Sequence, residues 1–105
     1  MKYLGKITHA EFGIVIDMEF LMGLQLTFAF DGSGVSTGGR YCVNTSKHWS
    51  SDDERQYAVT ESWDFIHEIL KEAKVNYVSE LIGKPVEVEL YGSTFKGFRI
   101  LTEVI

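Results

Sequence analysis

Large apolar residues fall at every second position in Leu24, Leu26, Phe28 and Phe30, alternating with Gly23, Gln25, Thr27 and Ala29. Side chains of an extended chain point to opposite faces in turn, so this pattern predicts a strand with one oily face. Residues 2–12 read as an earlier strand, with Ile7, His9 and Glu11 on one face and Thr8, Ala10 and Phe12 on the other. Residues 13–22 between them are apolar without a steady period, which fits a strand, a bulged hairpin or a surface loop that docks another molecule. Glycine, serine and threonine dominate residues 31–39 and predict a flexible connection, after which residues 40–44 form a short strand.

The period then changes. Ser51-Asp52-Asp53-Glu54 has the capping-box form, in which the Ser51 hydroxyl accepts an otherwise unpaired backbone N–H and Glu54 reaches back to the cap residue. Val59, Trp63, Ile66, Leu70 and Ala73 follow at spacings of three and four, predicting one buried stripe, widened by Phe65 and Ile69. Residues 75–82 read as a short helical turn that Gly83 stops and Pro85 prevents from resuming. Two strands close the chain, one carrying Val86, Val88 and Leu90 and the other Phe98, Ile100, Thr102 and Val104. If both apolar sets face the core, parity places Val88 opposite Phe98 and Glu87 opposite Arg99, with Gly92-Ser93-Thr94 as the loop. The expected fold is α+β: an antiparallel sheet of four to six strands packed against one long amphipathic helix, with a short second helical turn.

Composition narrows the class. A chain of 105 residues, 45% hydrophobic and 13% aromatic with one proline, is expected to form a single globular domain over residues 1–105. Cys42 stands alone, which excludes an intramolecular disulfide and suits a buried thiol. No apolar run approaches the ~20 residues of a bilayer crossing and the start lacks a signal-like apolar stretch, so a cytoplasmic protein with no membrane contact is expected. The net charge of −5 is concentrated: residues 51–73 hold seven acids against two bases, while the rest of the chain balances. The basic residues are scattered singly, which argues against direct nucleic-acid binding.

Candidate chemistry is sparse. The run from Gly32 through Gly34 and Gly38 to Arg40 suggests an anion-cradling loop, but it leads into a strand where phosphate-binding motifs require a helix. His9, His48, His67 and Cys42 show no zinc-ligand spacing, and no nucleophile-elbow sequence joins Ser, His and Asp, so neither metal, cofactor nor enzymatic activity is expected. On the helix, Asp64, Glu68 and Glu72 recur at every fourth position with Glu61 nearby. Like charges at that spacing cost a helix roughly 0.2–0.5 kcal/mol per pair. The row is either a solvated face or a docking surface for a basic protein partner, with Trp49 and Tyr57 at its border.

Several segments resemble a family of small, largely uncharacterised proteins encoded by phages and prophages. The likeness lies in Lys6-Ile7-Thr8 and Glu11-Phe12-Gly13, in Ile69-Leu70-Lys71-Glu72-Ala73-Lys74-Val75, in Leu81-Ile82-Gly83-Lys84-Pro85-Val86-Glu87-Val88 and in Arg99-Ile100-Leu101-Thr102-Glu103-Val104. Residues 14–49 depart from it, lacking a Gly-Tyr-Gln type segment and further tryptophans. The resemblance implies a phage accessory protein and no particular chemistry. The expected function is therefore non-catalytic binding of a macromolecular partner in the host cytoplasm, inhibition of a host defence system being one such role, through Glu61, Asp64, Glu68, Glu72 and Trp49. The alternative is an oligomeric protein that sequesters a small molecule or nucleotide at Gly32, Gly34, Gly38 and Arg40, with Trp49.

Overall fold

The computed structural model describes residues 1–45 and 49–104. Six strands form one antiparallel sheet: β1 (Lys2–Val15), β2 (Met18–Phe30), β3 (Ser33–Ser36), β4 (Tyr41–Asn44), β5 (Pro85–Tyr91) and β6 (Thr94–Ile100), in the spatial order β3-β2-β1-β5-β6 with β4 also pairing with β2. The helix α1 (Asp52–Ala73) and a 3-10 turn (Val78–Leu81) lie between β4 and β5 in sequence. The sheet buries one face, as antiparallel sheets commonly do. Ile7, Leu24, Leu26, Phe28, Val86, Val88 and Ile100 are almost wholly inaccessible there and pack with Ile69, Ala73 and Leu81. Each such side chain contributes roughly 1.5–3 kcal/mol by leaving water.

The undecided residues 13–22 are the distal half of a long β1-β2 hairpin, closed by a tight turn at residues 16–17 with Asp17 at φ 65°. Two irregularities shape it. Ile7 pairs with Phe28 but His9 with Thr27, so Thr8 is an extra residue in β1. That bulge brings odd-numbered Ile7 onto the same buried face as Ala10 and separates it from His9, correcting the face assignment expected for residues 2–12. Near the tip, Ile14 faces Met22 and Val15 faces Met18, while β2 turns its other edge to β4 through Leu21 and Asn44. Residues 31–39 are not a loose connection. They turn tightly at Asp31 and Gly32, both with positive φ, and return as β3, whose Val35 pairs with Phe28.

At the other end, Val88 faces Phe98 and Glu87 faces Arg99, as parity predicts, and Arg99 Nε donates to Glu87 Oε1 at 3.2 Å. The turn holds two residues rather than three, because Tyr91 pairs with Thr94 and a bulge beside Leu90 absorbs the difference. Thr102 and Val104 do not extend β6 but form a 3-10 turn. The reason is local: Leu101 N–H donates to the carbonyl of Pro85, the first residue of β5, so no neighbouring strand lies beyond it.

The helix begins at Ser51, whose Oγ accepts the Glu54 N–H at 3.1 Å, while the Glu54 carboxylate takes the Ser50 hydroxyl rather than the cap backbone. Its buried stripe is rolled toward the Phe65 and Ile69 edge of the arc expected from periodicity. Ile69 and Ala73 are buried and Phe65, Ile66 and Leu70 are partly so, but Trp63 is 68% exposed and Val59 45% exposed. The roll follows from where aromatic partners lie. Phe65 stacks on Tyr41 of β4 at 4.4 Å and meets Phe98 edge-on at 6.4 Å, drawing that side of the helix inward and lifting Trp63 out.

Candidate functional site

Between β4 and the first half of α1 lies an open cleft of about 560 Å³. Its floor and one wall are β4: Tyr41, Cys42, Val43 and Asn44. The opposite wall is the α1 face carrying Ala58, Glu61, Ser62 and Phe65, and Arg40, Trp49 and Leu21 complete the rim. Pairing of β4 with β2 brings this wall within reach of the helix, because Gly23 sits opposite Cys42. A Cβ at Gly23 would lie 2.7 Å from the Cys42 Cα and 2.5 Å from the Tyr41 carbonyl oxygen, so only glycine lets β4 approach this closely.

Electrostatically the cleft is mixed. The Arg40 guanidinium lies 5.9 Å from the Phe95 ring centroid and interacts with the Tyr41 hydroxyl. Burial pushes the Tyr41 phenol above its ordinary value, opposed in part by Arg40. Burial likewise raises the Cys42 thiol, whose sulfur is 3.8 Å from the Leu24 carbonyl oxygen. A thiol held above its usual pKa is a poor nucleophile near neutrality. Outside the cleft, the Tyr57 hydroxyl donates to Glu61 Oε1 at 3.0 Å, and that bond with the carboxylate charge raises the Tyr57 phenol.

The two sets of sequence-predicted site residues are distributed differently. Glu61, Asp64 and Glu68 are exposed along the outer side of α1, and Glu72 is half-buried at its end. Glu61 also lines the cleft with Trp49, so the acidic row and the aromatic pocket share one residue. Among the described residues, none of the ion pairs involves Asp64, Glu68 or Glu72. The glycine set does not assemble. Gly32 closes the β2-β3 turn, Gly34 lies within β3 against the Phe28 carbonyl and Gly38 has positive φ in the β3-β4 turn, whereas Arg40 alone reaches the cleft. His9 is exposed on β1 and His67 on α1, while Lys47 and His48 fall outside the described residues. Tyr41 and Phe65 as cleft walls escape sequence reasoning, since an aromatic residue in a short strand and one on a helix read equally as core.

No family model matches the sequence, and neither a curated protein nor a solved structure matches it. No helix among the described residues is long and apolar enough to cross a membrane.

Proposed function

We propose that the protein is a non-catalytic binding module that seats a basic surface of a macromolecular partner on the outer face of α1, with the cleft beside Glu61 receiving an anchoring side chain. The observation that carries this reading is the double position of Glu61, at once a member of the acidic row and a wall of a cleft lined by Tyr41, Phe65 and Trp49. Acidic side chains steer a cationic partner, while an aromatic-walled recess suits an inserted arginine, lysine or aromatic side chain. The sequence resemblance to phage-encoded proteins adds the proposal of an accessory protein that occupies a basic surface of a host factor, a defence component being the first to test.

Fluorescence anisotropy against a panel of arginine- and lysine-rich peptides tests the docking face directly. Binding should weaken as salt rises, and reversing Asp64 and Glu68 to lysine should lower affinity about tenfold at low salt. Salt-independent binding, or affinity unchanged by the reversals, refutes the reading. A second reading has one observation in its favour, because Arg40 and Trp49 share the cleft. In that case a nucleotide lies there without help from Gly32, Gly34 or Gly38, and a panel of nucleotides should raise the melting temperature while the lysine reversals leave that gain intact.

A further inference from the structure

The distal β1-β2 hairpin is an arm with an uncovered apolar surface. Phe12, Ile14, Ile16, Met18, Phe20 and Met22 are all exposed, Ile16 at 85%. Tight hairpin turns favour glycine, asparagine or aspartate, and a β-branched apolar residue at the tip gains nothing locally. At about 200 Å² for each fully exposed large side chain, these residues with Val59 and Trp63 present roughly 800 Å² of apolar surface. A typical monomer's largest apolar patch is about 300–600 Å², and each partner in a stable dimer covers about 800 Å².

The same molecule carries a matching recess. Where α1 is rolled away from the hairpin, a groove of about 310 Å³ opens between them, lined by Phe12, Trp63, Ile66, His67, Leu70 and Val78. Charge is complementary as well: the arm tip bears Asp17 and Glu19, while Arg55 lines a second recess of about 200 Å³ that shares Phe12 and Trp63 with the groove. An apolar knob and an apolar groove on one chain are self-complementary, and a reciprocal exchange about a two-fold axis closes the assembly.

We propose that the groove is occupied by the arm tip of a second copy of this chain, Ile16 and Phe20 of each copy entering the other's groove. This dimer is independent of the acidic face and would present that face twice.

Sedimentation equilibrium over a wide concentration range tests it, with far-UV circular dichroism as the folding control. The unaltered chain should reach the dimer mass and no further. The pair Ile16→Asp with Phe20→Ser should weaken association about a hundredfold or more. Trp63→Glu, at a helix position that is 68% exposed, should do so from the groove side and keeps the test decisive if the arm variant fails to fold. A monomer at every concentration overturns the proposal, including one whose tryptophan emission shifts only on adding lipid vesicles. So do masses that climb past the dimer, and a dimer that survives Trp63→Glu.

Discussion

Truncating Trp63 and Ile69 to alanine separates two positions that helical periodicity ranks almost alike. Trp63 belongs to the stripe read from spacing and Ile69 to its flank, yet the rolled helix leaves the first 68% exposed and the second 6% exposed. Removing a buried isoleucine to alanine costs about 2–5 kcal/mol, and with so little residual access the value for Ile69 should be near 3 kcal/mol. For Trp63, alanine removes about 150 Å² of side-chain surface, of which a third is buried, so at ~25 cal/mol per Å² the loss is about 1 kcal/mol. A core tryptophan would instead cost about 3–5 kcal/mol. Urea unfolding followed by far-UV circular dichroism reads the difference. With a slope near 1.5 kcal/mol/M, the midpoint should fall by about 2 M for Ile69→Ala and about 0.7 M for Trp63→Ala. Measurements belong at high dilution, where self-association adds nothing to stability. If Trp63→Ala shifts the midpoint as far as Ile69→Ala, the roll of the helix is wrong and with it the groove.

Lys74 ends α1 at φ 59° and ψ 42°, a left-handed conformation costing a side-chain-bearing residue about 1–2 kcal/mol, partly offset in glycine by its looser unfolded chain. Lys74→Gly should therefore stabilise by about 0.5 kcal/mol in the same urea assay, and a loss would contradict the cap geometry. Tyr41 predicts an alkaline sensitivity, because burial holds its folded-state ionisation above the ordinary 10.0. The contribution is complete below pH 10 and is lost as pH climbs through the higher folded-state value, since the unfolded chain ionises first. Melting temperatures should thus decline above pH 10, and Tyr41→Phe, which keeps the stack on Phe65, should flatten that decline.

Legibility in the sequence followed the range of the interaction. The strand periods of residues 24–30 and 86–90 and the Ser51 cap depend on neighbours a few residues apart, the pairing of Val88 with Phe98 and Glu87 with Arg99 on one hairpin, and all are present. Bulges were less visible. The extra residue at Thr8 leaves no mark in an alternating pattern, yet it moves Ile7 across the sheet.

The acidic row on α1 was readable because charge at helical spacing needs only the helix itself, and Glu61, Asp64 and Glu68 are where that spacing puts them. The roll about the helix axis was not. Spacing defines an apolar arc that includes both Trp63 and Phe65, and which edge of the arc turns inward depends on what stands opposite. Here β4 folds back onto β2 across the glycine at position 23 and offers Tyr41 to Phe65. That single long-range contact closes the core on one side of the helix, forms the cleft beside Glu61, and leaves Trp63 and the hairpin arm facing an open groove.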